Sequence, residues 1–316
     1  MLDGASDKFW FPDDPPLPVS GRSAADPPPI LRRSAAPRPD TGPVAGCVWH
    51  TGGRYGRVTA VTESPTIPAS FDATADLEQI TEATAHLLDT VADLTDEDLR
   101  QPSRCDGWTR GHVLAHIARN ADGLANMLNT AATGEVTPMY ESDAKRNADI
   151  EAGSSRPVAE QLADLRASAG RFAEAYAAAQ AADNWNAPVR RTPEADPIPA
   201  YQVPTKRIGE VLIHHVDLNV DFTPAHWSDA FTDTWFADAL TRFEARPDFP
   251  ALRLDAEEED HVYGVKADPA DTGVVVVRGP KRALLAWLLG RASGDGLVAV
   301  IPAGGRGPLP KLPAWG

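Results

Sequence analysis

The chain has 316 residues and a net charge of −15, long enough for two domains and a sizeable core. That charge argues against unaided nucleic-acid binding, which needs a basic face for phosphate, and any anionic substrate must meet a local positive potential from a metal or a placed arginine. No apolar run reaches the length of a membrane span, no secretion signal opens the chain, and Cys47 and Cys105 are too few for a disulfide framework, so we expect a reducing cytoplasm; the expected state is a monomer.

Residues 1–67 form a proline-rich arm. Up to residue 66 they hold eleven of the 29 prolines, with seven acids against seven bases and no sustained periodicity. Such a segment buries too little to offset its ordering entropy, and disorder is expected. A first amphipathic helix is predicted over 75–93, from Leu77, Ile80, Leu87, Leu88 and Val91, followed by a capped turn at Thr95–Leu99. After the loop Ser103–Trp108, Thr109 can cap a second helix running to about residue 131, with Val113, Leu114, Ile117, Ala121, Leu124 and Leu128 facing inward. Residues 132–153 read as a polar loop. A third helix is expected over about 156–182, and a proline-rich connection or lid over 183–203. A fourth helix, over about 204–221, completes a helical bundle, placed at 68–224.

The remainder, 225–316, reads as a small α+β unit. One helix is predicted at about 226–245, then strands at 251–254, 261–265 and 274–277, a helix at 281–289 and a last strand at 297–301. The fold class is therefore α+β, a four-helix bundle followed by a small α+β domain.

Chemistry concentrates in the fourth helix. Glu210 and His214 stand one turn apart on one face, where a carboxylate and an imidazole can grip one divalent cation. Arg207, Glu210, His214, Asp217 and Asp221 also read as an ordinary solvated polar stripe. A third ligand is available from Gly107–Ile117, where His112 and His116 compete at the same spacing. His215 points about 100° from His214 on a helical wheel. Cys105 reads as a structural thiol, a soft ligand or a nucleophile. Arg282 and Arg291 flank the last helix, as surface charges or as arginines suited to bidentate recognition of a keto-acid carboxylate.

The run Ser103–His116, with Ala118–Asp122, Pro138–Tyr140, Asp149–Gly153 and Glu210–Leu218, resembles the mycothiol-dependent maleylpyruvate isomerases. The likeness extends from about residue 70 to the C-terminus. It implies a DinB-like metal-binding four-helix bundle, a sterol-carrier-like C-terminal domain and a metal triad at His116, Glu210 and His214. It further implies a divalent metal such as zinc, mycothiol as thiol cofactor and a catalytic arginine, placed at Arg291 with Arg282 as substitute. The implied reaction is cis–trans isomerisation of maleylpyruvate to fumarylpyruvate in aromatic degradation. A mycothiol S-transferase and a non-catalytic metal- or thiol-responsive module are the alternatives.

Overall fold

The structure, a computed structural model, describes residues 66–315. All but the last two residues of the proline-rich arm expected to be disordered lie outside it. Helix α1 (Ala73–Ala92) starts where the Asp72 carboxylate accepts hydrogen bonds from the amides of Thr74 and Ala75. A single turn, α2 (Asp96–Leu99), leads to α3 (Arg110–Thr133). Thr109 caps α3, and the reciprocal acceptor is unusual: His112 Nδ1 takes the Thr109 amide at 3.2 Å, the task usually given to glutamate. Gly134, at φ 76°, ends the helix in the left-handed conformation that glycine adopts without strain.

The stretch expected as a polar loop contains a helix, α4 (Asp143–Ser154), capped by Ser142. Its large apolar contribution is Ile150 alone, so no hydrophobic stripe betrays it. Close backbone approach holds it on α3: a Cβ at Gly111 would stand 2.1 Å from the Ser154 carbonyl oxygen. Helix α5 (Val158–Ala182) follows. The connection expected as a lid contains a two-residue antiparallel ladder, β1 (Pro188–Val189) with β2 (Ile198–Pro199), before α6 (Val203–Asp217). Helices α1, α3, α5 and α6 pack as the four-helix bundle.

The C-terminal part begins with α7 (Asp229–Ala245) and continues through β3 (Leu252–Ala256), β4 (Val262–Val265), β5 (Val275–Gly279), α8 (Lys281–Leu288), β6 (Val298–Val300) and β7 (Arg306–Gly307). The sheet order is β4-β3-β5-β6-β7, with β3 and β5 parallel and every other neighbour antiparallel. Leu252, Leu254 and Ala256 alternate inward at strand period.

One apolar core joins bundle and sheet. Val211, Leu212, Ile213 and Val216 of α6 lie in it with Trp227, Phe231 and Trp235, Leu284 and Leu285 of α8, and Leu252 and Leu254 of β3. A Cβ at Gly209 would stand 1.8 Å from the Trp235 ring, so the glycine in the α6 motif lets α7 approach. This packing turns the whole of α6 from Gly209 to Asp217 away from solvent.

Candidate metal centre

Burial decides between the two sequence readings of the α6 stripe. Arg207, Glu210, His214 and Asp217 are all 5% exposed or less, whereas Asp221, beyond the end of α6, is exposed. Buried charges must find partners, and these face α3.

His116, in the second turn of α3, brings Nε2 to 2.8 Å from Glu210 Oε2 and 3.2 Å from His214 Nε2. The triangle closes at 3.3 Å between His214 Nε2 and Glu210 Oε2. Ligands about 2.1 Å from a tetrahedral zinc lie about 3.4 Å from one another, so the three atoms already stand near the edges of such a site. The donor set, two imidazoles and a carboxylate, is one that divalent cations accept with a vertex to spare. By size and chemistry the residues fit a metal.

Around the triangle each group is held differently. Asp217 Oδ2 lies 2.9 Å from His214 Nδ1, which fixes a proton there and turns Nε2 to the triangle. Arg291 in turn grips Asp217 through two bonds, Nε to Oδ1 at 3.0 Å and Nη2 to Oδ2 at 2.8 Å, while its Nη1 donates to the Leu289 carbonyl. The C-terminal unit thus reaches the bundle's buried site through one guanidinium. On the other side, Arg146 Nη2 donates to His116 Nδ1 at 3.2 Å. A metal at His116 Nε2 requires the proton on Nδ1, so loading the site displaces that Arg146 bond.

The electrostatics follow these contacts. Burial pushes His116 down to about 4, against Glu210, so this imidazole is neutral at pH 7. Burial also opposes the charged forms of Glu210 and His214 but is overcome. The two imidazoles hold the Glu210 carboxyl well below the usual range, and Asp217, Cys105 and Glu210 hold His214 well above it. Asp217 is likewise held low against burial, first by Arg291 and then by His214.

The other sequence candidates go elsewhere. His112 is committed to the Thr109 cap and to Glu151, with Nε2 3.2 Å from Oε2. His215 lies against Thr90 and stacks on Phe222 at 3.7 Å between ring centroids. Arg282 pairs with Asp229 at 2.6 Å, a partner outside the triangle. Cys105 approaches the centre, its sulfur grouped with His214 and Asp217 rather than with the triangle. The Trp108 ring centroid stands 5.6 Å from that of His116.

Sequence reasoning missed Arg146 and Tyr140 as site neighbours. The Ser142 cap and the Lys145–Asp149 pair one turn apart were local signals for the helix that carries Arg146. Nothing local points Arg146 at His116.

The chain's relatives agree with this architecture. The family model described as the mycothiol maleylpyruvate isomerase N-terminal domain matches residues 80–219, and that of the MDMPI C-terminal domain matches 226–313. A crystal structure of the mycothiol-dependent maleylpyruvate isomerase is similar at 28% identity with a TM-score of 0.69, covering 77% of this chain and 97% of that one. A histidine-to-alanine mutant of the same enzyme matches at 27% identity and a TM-score of 0.68 over the same shares. No curated protein matches the chain. Two family domains in the expected order, over a fold shared nearly to the full length of the solved relatives, make this chain a member of the mycothiol-dependent maleylpyruvate isomerase family.

Proposed function

We propose that the chain is a metal- and mycothiol-dependent cis–trans isomerase converting maleylpyruvate to fumarylpyruvate, acting as a cytoplasmic monomer. The observation that carries the reading is the buried triangle of His116, Glu210 and His214, in a chain matching both family domains. No helix among the described residues is long and apolar enough to cross a membrane. We place the boundary between the metal-binding bundle and the arginine-bearing unit at 224/225.

A double bond isomerises only if it becomes transiently single, which reversible addition of a thiolate achieves. A free thiol with a pKa of about 8.5 is mostly protonated at neutral pH. A divalent cation, zinc in our reading, supplies the missing acidity when bound.

The chain's own residues then have separate tasks. His116, Glu210 and His214 would hold the cation. Asp217 keeps the His214 proton on Nδ1, so that Nε2 remains a ligand. Arg291 holds Asp217 and sets a positive charge at the edge of the centre, where charge developing on the substrate is stabilised. Arg282, paired with Asp229, serves as the control.

The test is an absorbance assay of maleylpyruvate conversion with and without mycothiol, on metal-stripped and reloaded protein. Turnover should need both additions. Turnover by fully stripped protein defeats the reading, and a product carrying mycothiol in its mass assigns the chain to S-transfer instead.

A further inference from the structure

Beside the triangle lies a concentration of buried positive charge that the metal centre alone does not use. Arg146 is 4% exposed and Arg207 2% exposed, and among the described residues neither has a carboxylate within ion-pair range. Arg146 spends its donors on Asn147 Oδ1 and His116 Nδ1. Arg207 donates from Nη1 to the Ile117 carbonyl and Asn120 Oδ1. Arg191 is paired with Asp143, and its guanidinium lies 5.6 Å from the Tyr140 ring centroid, with that of Arg146 at 5.9 Å.

Tyr140 sits among them. It is 8% exposed, and its hydroxyl has no hydrogen-bond partner among the described residues. A buried hydroxyl without a partner is costly, and so is a buried guanidinium without a counter-ion. Arg146 and Arg207 therefore carry buried positive charge with no carboxylate in ion-pair range, inside a protein whose total charge is −15. Metal loading also removes the acceptor that His116 Nδ1 gives Arg146. One ligand chemistry satisfies both Arg146 and Tyr140: an anion with two oxygens, one for the guanidinium and one for the phenol.

We propose that Arg146 and Tyr140 seat a carboxylate of the substrate beside the metal triad, with Arg207 and Arg191 supplying the field around it. The assignment rests on the dicarboxylate substrate of the isomerase reading. It gives the recognition of that substrate's carboxylate to the N-terminal bundle, and leaves Arg291 its bonds to Asp217 and its place at the edge of the centre.

The test is calorimetric titration of the metal-loaded full chain with maleate, a cis dicarboxylate, and with its neutral dimethyl ester. Arg146→Met should weaken maleate binding about 30-fold or more, with metal content and ester binding unchanged. Arg146→Lys, which keeps the charge but not the fork, should recover part of the loss. Tyr140→Phe keeps the ring, should fold whatever Arg146→Met does, and should cost about fivefold. Maleate affinity within twofold of wild type in Arg146→Met or Tyr140→Phe overturns the proposal. So does loss of metal from folded Arg146→Met, which assigns the arginine to His116 alone. Arg146-dependent maleate binding by a chain that leaves maleylpyruvate unchanged with mycothiol keeps the subsite and removes the isomerase reading. Normal turnover with Arg146-independent binding does the reverse.

Discussion

Asp217→Asn tests how the two ends of the chain share one site. Asp217 is 1% exposed and accepts from Arg291 on both oxygens and from His214 on one. An asparagine offers one oxygen and one NH2, so Arg291 faces a donor in either orientation, His214 does so in one of them, and Arg291 loses the carboxylate charge of Asp217. Breaking a buried ion pair from one side costs about 3–5 kcal/mol. The Arg291 side chain retains 17% exposure, which places the expected loss near the lower end, about 3 kcal/mol. For a chain of this size that is a fall in Tm of about 6–12 °C. Independently, His214 exchanges a carboxylate acceptor for a neutral amide oxygen or for an NH2, and metal affinity should drop about 10–100-fold. Thermal unfolding of metal-free protein reads the first effect, and chelator competition reads the second. The pH dependence has a definite sign. The folded carboxyl lies below its ordinary value, so its stabilisation is complete above about pH 4 and fades as pH falls through the lower folded value. The difference between wild type and variant should therefore shrink on acidification. A metal-free Tm within about 2 °C of wild type, together with metal affinity within about threefold, refutes the linkage.

Replacing His116, Glu210 or His214 by alanine should abolish stoichiometric metal in dialysed protein, and metal retained at full occupancy by any of the three breaks the triangle assignment. His214 is held protonated above its usual range, against burial, by Asp217, Cys105 and Glu210, so a metal must displace that proton. Apparent metal affinity should fall as pH drops, about tenfold per unit while His214 holds its proton, and a flat profile between about pH 6 and 8 contradicts this. Gly209→Ala places a Cβ 1.8 Å from the Trp235 ring and should cost about 1–3 kcal/mol, read as a lower urea midpoint at unchanged slope.

Much of the helical framework is legible locally. Leu87 and Val91 mark the inner face of α1, Thr109 marks the start of α3, and the four-residue step from Glu210 to His214 puts both side chains on one face. These follow from backbone period and capping chemistry, which involve only near neighbours in the chain. Helix α4 escaped because it is held by small residues against α3 rather than by an apolar stripe, and a period analysis has little to detect in a segment whose main apolar anchor is Ile150. With α4 went Arg146.

Whether the stripe on α6 faced water or protein was not decidable from its own residues, because a solvated charged face and a buried polar one share the same letters and spacing. The covering elements decide it: α1 and α3 pack along α6, α7 closes on it at Gly209, and Arg291 grips Asp217, leaving Glu210, His214 and Asp217 buried. The choice of His116 over His112 likewise depends on which acceptors surround each ring, Glu210 across the helix interface or Glu151. The grip of Arg291 on Asp217 joins residues 74 positions apart through a domain contact. Local sequence determined which side chains could present ligands, since that needs only helical geometry. Tertiary packing determined which of them came together, since burial sets both their distances and their charges.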